Sequence, residues 1–141
     1  AIPLEQHTAL QPDLVSRLVE MKLGLVGLAH ASDLLPSELS GGMRKRASLA
    51  RAIALDPELL FCDEPSAGLD PLIAANLDRL ILSLRDRLGM SVFMITHSVR
   101  SVERIADKVI FMDDGQVIFS GSLKEAKSSG MESVETFFQE G

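Results

Sequence analysis

The sequence has 141 residues, of which 46% are hydrophobic and 24% are charged, a composition typical of one soluble globular domain. Its 14 Lys and Arg residues are outnumbered by 20 Asp and Glu residues, and the net charge of −6 argues against a broad basic surface for nucleic acid. No apolar run reaches the roughly 18 residues of a spanning helix, and the first residues lack the basic start and apolar core of a signal peptide. We therefore expect no membrane span, no export signal and no nucleic-acid partner.

The first helix is predicted from a proline, a glycine and the apolar spacing between them. Residues 1–12 are expected to form an entry loop, after which Pro12 and Asp13 open the helix. Gly27 and the polar residues after it end the helix. The helical spacing of the apolar residues predicts one buried face, made of Leu14, Leu18, Met21, Leu25 and Leu28.

Two helices and two strands are expected in the middle of the chain. A helix over about 42–55 is ended by the Asp56-Pro57 pair, because the residue before proline disfavours the helical region. The apolar runs 59–63 and 92–95 are typical of strands buried on both faces of a parallel sheet. Between them Asp70 is expected to cap a third helix. The apolar stripe of that helix is Ile73, Leu77, Leu80, Leu84 and Leu88.

The order strand, helix, strand predicts an α/β fold with a parallel sheet. A short helix then begins near Val99, and residues 108–121 are predicted to form a hairpin around the Asp114-Gly115 turn. The single cysteine, Cys62, cannot form an internal disulfide, and its apolar surroundings favour a buried core thiol over a nucleophile. A reducing compartment is therefore expected.

Polar side chains follow both predicted strands, where parallel sheets bind their ligands. Asp63 and Glu64 follow the first apolar run, and Thr96 and His97 follow the second. An acidic pair at such an edge suits magnesium and a phosphate group, with Asp63 holding a metal-bound water and Glu64 facing the attacking water. His97 would then donate a hydrogen bond to the terminal phosphate. The alternative is that these residues only end their strands in solvent.

Two glycines at the start of a helix indicate an anion site. Gly41 and Gly42 follow Ser40, the expected helix cap. Free backbone N–H groups and the positive end of the helix dipole would face an anion there, and glycine allows a phosphate to approach closely. A double glycine alone is also common in turns, so this pair gains weight only from its neighbours.

The stretch ELSGGMR, followed by a helix and an apolar strand ending in DEP, resembles the nucleotide-binding domain of ATP-binding cassette (ABC) transporters. Leu39–Met43 resembles the signature motif of that family, and Leu59–Glu64 resembles its Walker B strand with the catalytic glutamate. Ser66–Asp70 resembles its D-loop, and His97 resembles its switch histidine. The resemblance implies an α/β fold: part of a P-loop NTPase (RecA-like) parallel sheet with helices, plus part of the ABC helical subdomain.

The resemblance covers residues 13–121, but only the second half of the family's domain. A phosphate loop of the form G-x-x-x-x-G-K-[ST] is absent, since no glycine in the sequence is followed by lysine. We therefore expect the C-terminal part of one ABC ATPase domain. Residues 1–56 would be helical subdomain and signature helix, 57–121 the Walker B to switch-histidine core with the hairpin, and 122–141 a tail.

The resemblance also implies the roles of individual residues. Family signature motifs close over the γ-phosphate of ATP held by an opposing subunit, which implies a head-to-tail homodimer that binds ATP and Mg²⁺. Glu64 and His97 are the implied catalytic residues, and Asp63 would hold Mg²⁺ through a water. The D-loop residues would lie at the dimer centre, although Asp70 is also a candidate helix cap. The implied nucleotide-binding residues are Ser40, Gly41, Gly42, Asp63, Ser66 and Asp70.

Met43 stands where many family members carry glutamine, and with the surrounding sequence it makes the chain similar to the ATPases of lipid-asymmetry and organic-solvent-tolerance transporters of Gram-negative bacteria. That similarity implies phospholipid cargo, membrane permease subunits and a lipid-binding protein of the mammalian-cell-entry type. It also implies a cytoplasmic position, peripheral on the inner face of the inner membrane. The basic run 44–46 could face nucleotide, a membrane subunit or only solvent.

Two other functions remain open from the sequence. The chain could be a truncated, non-hydrolytic interaction module that pairs with a complete ATPase subunit. DNA-repair and chromosome ATPases also carry signature-type helices, but residues 1–40 lack the sustained heptads that precede them. If the strand that carries the phosphate loop lies beside one of the two predicted strands, its absence exposes an apolar sheet edge. The isolated chain is then expected to be poorly soluble or marginally stable, with negligible ATP turnover.

Overall fold

A computed structural model describes residues 1–139. No helix in this part of the chain is both long and apolar enough to cross a membrane. Two single turns of 3-10 helix, Ala29–Ala31 and Pro36–Glu38, precede α3. The helices and strands are α1 (Ile2–His7), α2 (Pro12–Leu25), α3 (Gly41–Ala52), β1 (Leu59–Asp63), α4 (Pro71–Leu88), β2 (Ser91–Ile95), α5 (Val99–Ile105), β3 (Lys108–Asp113), β4 (Gln116–Ser122), α6 (Leu123–Lys127) and α7 (Glu132–Gln139).

The chain divides into two compact units, Ala1–Ile95 and the residues from Thr96 onward. In the first unit β1 and β2 pair in parallel, with Leu59 opposite Ser91 and Asp63 opposite Ile95. This pairing confirms the predicted strand, helix and parallel strand. Since the strands are in register, both end at the same edge of the sheet.

One face of the β1–β2 sheet packs into the core of the first unit. Leu60 and Cys62 of β1 pack with Ile53, which follows α3, and with Ile81 and Leu84 of α4. Partly buried side chains of β2 pack against the same cluster. The core therefore lies between the sheet and the two helices α3 and α4.

The opposite face of the same sheet is exposed in residues 1–139. Phe61 is 69% exposed, and its ring lies 5.6 Å from that of Phe93, centroid to centroid. Leu59 and Ile95 are also exposed on this face. The expectation that the strands are buried on both faces is therefore wrong for the described residues, because α3 and α4 cover only one side of an apolar sheet.

Helix α2 begins at the predicted Pro12, and its predicted face is buried only in part. Leu28 is buried and Leu18 and Leu25 are partly buried, but Leu14 and Met21 are exposed. Val15 and Lys22 are buried beside that face. The Lys22 ammonium, only 3% exposed as a residue, forms an ion pair with the carboxylate of Asp56. A second stripe, which includes Val15 and Lys22, runs along the helix beside the predicted one. The ion pair lies on this second stripe.

The N-terminal residues form a helix where a loop was expected. The short helix α1 spans Ile2–His7 with Pro3 in its first turn, a position that proline tolerates well. Leu4 packs there with Val15 and Ala54 in a small cluster. The prediction of a loop over residues 1–12 is therefore wrong for residues 2–7, where the apolar contacts of Leu4 attach the segment to α2.

Helix α3 begins at Gly41, close to the prediction, but ends at Ala52 rather than Leu55. Residues 53–55 form a turn, and Asp56 takes a left-handed backbone conformation with φ +49°. The chain thus leaves the helix a turn before Pro57, where the sequence placed the boundary.

Helix α4 has the predicted N-terminal cap. The Asp70 Oδ1 atom accepts hydrogen bonds from the N–H groups of Leu72 and Ile73, both at 3.0 Å. Of the predicted apolar stripe, Leu77 and Leu84 are fully buried, whereas Ile73 is exposed. Leu80 and Leu88 are partly buried against the core of the first unit, and the buried residues of the helix are Ala75, Leu77, Asp78, Ile81 and Leu84.

The second unit contains the predicted hairpin. Strands β3 and β4 pair antiparallel around Asp114 and Gly115, whose φ angles of +45° and +73° are those of a tight hairpin turn. Helices α6 and α7 pack on the hairpin through Ala126 and Val134. At the start of α6 the Glu125 carboxylate accepts hydrogen bonds from the N–H and the hydroxyl of Ser122. These bonds, the one from the N–H foremost, lower the pKa of Glu125.

The thiol of Cys62 is buried, as the sequence predicted, with 8% of the residue exposed. Burial raises its pKa, because the thiolate loses its hydration. We expect iodoacetamide at pH 8 to alkylate the folded protein at least about 10-fold more slowly than the protein in urea.

This pKa shift also sets the sign of the pH dependence. Since the folded pKa is raised, the stability that Cys62 contributes is complete below the pKa of the unfolded thiol and declines as pH rises through the folded value. If iodoacetamide alkylates Cys62 at equal rates in the folded and unfolded protein, the thiol is accessible and the alkylation prediction is wrong.

Candidate functional site

The acidic pair lies where β1 leaves the sheet. Asp63 is the last residue of the strand and is exposed, and the following Glu64 is half-buried. Because Asp63 pairs with Ile95, the last residue of β2, both acids lie at the carboxyl edge of the sheet. This is the edge at which parallel sheets bind ligands.

The backbone of Glu64 is held in an unusual conformation. Its φ angle is +42°, in the left-handed region that costs a non-glycine residue on the order of 1–3 kcal/mol. The Glu64 N–H donates to the Ile95 carbonyl at 2.9 Å. The Glu64 carbonyl accepts from the Ala67 N–H and from the ammonium of Lys45, both at 3.2 Å. These three hydrogen bonds hold the main chain in a conformation it would otherwise disfavour.

The N-terminus of α3 has the geometry expected of an anion site. Ser40 caps the helix, and its hydroxyl accepts a hydrogen bond from the Met43 N–H at 3.2 Å. The N–H groups of Gly41 and Gly42 precede the first donor of the helical ladder, so the helix offers them no carbonyl acceptor. Ser40 and Gly41 are exposed. An anion could therefore reach these N–H groups from solvent.

Close packing also favours glycine at position 42, at the start of α3. A Cβ atom on Gly42 would lie 3.1 Å from Ile73 Cγ2, and one on Gly41 would lie 3.9 Å from Leu69 Cδ2. The α3 N-terminus thus lies against the start of α4 and the loop before it. The sequence suggested only phosphate access as the reason for Gly42, whereas the structure adds a packing reason.

The D-loop residues have different surroundings. Ser66 is buried, and its carbonyl accepts a hydrogen bond from the Leu69 N–H at 3.2 Å. Asp70 is exposed and caps α4, as one of its two interpretations predicted. Both residues therefore shape the turn that leads from Glu64 into α4.

For the basic run 44–46 the sequence left solvent, nucleotide and a membrane subunit open. In the structure Arg44 is exposed, Lys45 and Arg46 are half-buried, and each side chain donates to a backbone carbonyl. Arg44 donates to the carbonyl of Leu39 at 2.6 Å. Lys45 donates to Glu64, and Arg46 donates to Val26 at 3.2 Å. Sequence reasoning missed this role, because no local pattern shows which distant carbonyl a long side chain reaches.

His97 lies in the second unit and is exposed. It stands between Thr96, whose hydroxyl accepts the Ser98 N–H at 3.1 Å, and Ser98, which caps α5 by accepting the Ser101 N–H at 3.3 Å. The structure thus brings together Lys45, Glu64 and the glycines within the first unit, while His97 belongs to the second.

The donor set of the first unit fits ATP with Mg²⁺. Magnesium is commonly held by one or two carboxylates together with waters and substrate phosphates. Asp63 is an exposed carboxylate at the carboxyl edge of the sheet, where parallel sheets bind ligands. Within residues 1–139 there is no cluster of three or more His, Cys, Asp or Glu side chains that could hold a metal ion by itself. A phosphate-assisted site matches this arrangement better than an all-protein site.

This fold is found in solved structures of ATP-binding cassette proteins. The structure of cbiO1 from Clostridium perfringens, part of the ABC transporter complex cbiONQ, superposes with a TM-score of 0.80 and 31% sequence identity. The match covers 86% of this chain and 49% of that one. The fold is thus the α/β fold of ABC ATPases, part of a P-loop NTPase domain, which confirms the predicted fold class.

Sequence comparisons identify the family. The family model for ABC transporters matches residues 5–67. The intermembrane phospholipid transport ATP-binding protein MlaF of Haemophilus influenzae is 43% identical over 129 residues, 92% of this chain and 49% of that protein. MlaF of Escherichia coli is 42% identical over 137 residues, 97% of this chain and 51% of that protein. The chain belongs to the ABC transporter family of ATP-binding proteins, and it spans about half the length of these curated relatives.

Proposed function

We propose that this sequence is the C-terminal part of an ATP-hydrolysing subunit of an ABC transporter. The observation that carries the proposal is the site of the first unit, where a capped, glycine-initiated helix and Glu64 at the edge of a parallel sheet are linked by Lys45. The high identity to phospholipid transport ATP-binding proteins supports it. In this proposal residues 1–56 form the helical subdomain and signature helix, residues 57–121 form the Walker B to switch-histidine core with the hairpin, and residues 122–141 form the C-terminal tail.

The α3 N-terminus would bind the γ-phosphate of ATP held by a second subunit. The N–H groups of Gly41 and Gly42 would donate to phosphate oxygens, and the Ser40 hydroxyl would donate as well, since it can accept from Met43 and donate at once. The phosphate loop for that ATP would come from a partner, which makes the complex a head-to-tail homodimer. Buried Ser66 and the cap residue Asp70 would lie near the dimer centre.

The carboxylate of Glu64 would act as the general base for the attacking water. It would accept a proton as the water oxygen bonds to the γ-phosphorus and the bond to the bridging oxygen of ADP breaks. Asp63 would hold Mg²⁺ through a water, and Mg²⁺ supplies neutralisation of phosphate charge. His97 would donate a hydrogen bond to the γ-phosphate and report its presence.

Cargo and partners are proposed from the relatives. Phospholipid is the proposed cargo, because two relatives named for phospholipid transport match almost the whole chain. Such a subunit would act with membrane permease subunits and a lipid-binding protein of the mammalian-cell-entry type. It would lie on the cytoplasmic face of the bacterial inner membrane as a peripheral protein.

The test is to isolate the native polypeptide that contains this sequence, measure its intact mass and assay its Mg-ATP hydrolysis. We expect a mass well above 15.3 kDa, upstream peptides that include a phosphate loop, and measurable hydrolysis. A native mass near 15.3 kDa without hydrolysis would overturn the proposal. Binding of that short chain to a complete ATPase subunit would then favour the non-hydrolytic interaction module.

A further inference from the structure

Lys45 connects the signature helix to the main chain of Glu64. It lies in α3, near the proposed phosphate site, and its side chain is half-buried. The ammonium donates to the Glu64 carbonyl at 3.2 Å across a separation of 19 residues. The contact is partly buried, so water competes for it less than for a hydrogen bond on the surface.

The carbonyl that Lys45 holds belongs to the peptide bond between Glu64 and Pro65. Because proline has no N–H, this carbonyl is the only hydrogen-bonding group of that peptide unit. Pro65 is buried, which limits how the unit can reorient. The φ angle of +42°, together with the hydrogen bonds of the Glu64 N–H and carbonyl, holds the main chain from which the Glu64 side chain extends.

We propose that Lys45 is a positioning residue that orients Glu64 for water activation and makes that orientation depend on the place of α3. The inference rests on the proposed function, since it takes Glu64 as the hydrolytic acid. The α3 N-terminus faces the phosphate of a partner-held ATP, and the same helix carries the ammonium that fixes the backbone of Glu64. Through Lys45, binding of the phosphate at the α3 N-terminus is coupled to the orientation of Glu64.

The other contacts of α3 explain why the ammonium is held in place. Arg44 and Arg46, on either side, are committed to the carbonyls of Leu39 and Val26. Gly42 packs against Ile73 in the helix that follows Glu64 along the chain. Helix α3 therefore presents Lys45 from a fixed position, and a shift of α3 would change the distance to Glu64.

The experiment uses steady-state ATP hydrolysis by the native full-length polypeptide that contains this sequence. Lys45→Met keeps the length of the side chain but removes the donor, whereas Lys45→Arg keeps a cationic donor. Arg51→Met is the matched control, because Arg51 is an exposed cation in the last turn of the same helix. Glu64→Gln is measured in the same assay, alone and combined with Lys45→Met.

We expect Lys45→Met to lower kcat about 10- to 100-fold with little change in KM for ATP, since small misplacements of a catalytic group cost up to about 100-fold. Lys45→Arg should recover most of the loss, and Arg51→Met should leave kcat unchanged. The double variant should hydrolyse ATP no more slowly than Glu64→Gln alone, because Lys45 acts through Glu64.

Three results would overturn the inference while leaving the proposed function intact. They are an unchanged kcat in Lys45→Met, a loss that Lys45→Arg does not rescue, and a double variant clearly slower than Glu64→Gln. If Glu64→Gln itself keeps normal turnover, the proposed role of Glu64 fails, and the inference fails with it.

Discussion

Replacement of Glu64 by glutamine is expected to abolish most ATP hydrolysis while leaving ATP binding intact. The amide has nearly the shape of the carboxylate but cannot accept a proton from water, so kcat should fall about 100- to 10,000-fold. The three hydrogen bonds that fix residue 64 use its main chain and Lys45, so they survive the change. Turnover and nucleotide binding in the native full-length polypeptide measure the two effects separately.

Glu58→Gln is the control for this prediction. Glu58 is an exposed acid that immediately precedes β1, at the opposite end of the strand from Glu64. The control change removes the same charge and should leave turnover unaltered. Near-normal hydrolysis by Glu64→Gln would show that another group activates the water.

Truncation of Leu84 to alanine is expected to destabilise the protein strongly. Leu84 is 1% exposed and packs in the cluster between α4 and the β1–β2 sheet. Removing its buried methyl groups leaves a cavity and costs about 2–5 kcal/mol of the free energy of unfolding. Thermal unfolding of the native polypeptide should show a midpoint lowered by roughly 5–15 °C.

The same substitution at the other end of α4 provides the comparison. Leu72→Ala changes a residue that is 69% exposed, and exposed substitutions usually alter stability by no more than about 0.5 kcal/mol. Equal midpoint shifts in the two variants would contradict the described core. A small shift in Leu84→Ala alone would mean that the cluster collapses around the missing side chain.

The parts of the fold that the sequence predicted well have strong local signals. Asp70 and the proline after it define the start of α4, and Asp114 with Gly115 defines the hairpin turn. The strands β1 and β2 are short apolar runs bounded by residues that break regular structure. Each of these features is decided within a few residues, so no tertiary information was needed.

The choice of buried face could not be predicted, because tertiary packing decides it. In helix α2 Val15 and Lys22 are buried beside the predicted apolar stripe, and the ion pair of Lys22 with Asp56 lies there. The strand β1 is apolar on both faces, yet only the face with Leu60 and Cys62 meets helices in the described residues. Periodicity shows that a face is apolar but not what covers it.

The candidate site was predicted in part. Motif spacing indicated the glycines, Asp63 and Glu64 as a group, and the structure places them in one unit. The motif spacing did not indicate Lys45, because a lysine between two arginines has the pattern of a solvated helix face. The link became visible only when α3 and the end of β1 were seen side by side.

The most direct test of the central claim is the molar mass of the native full-length Glu64→Gln protein in solution, measured by light scattering with and without Mg-ATP. We expect a monomer without nucleotide and twice that mass with Mg-ATP, because the α3 N-terminus would close over ATP on a second subunit. A further Gly42→Val change, which crowds Ile73 and the phosphate path, should prevent the increase. If the mass stays the same with Mg-ATP, or if Gly42→Val leaves the increase untouched, the α3 N-terminus does not bind the ATP of a second subunit.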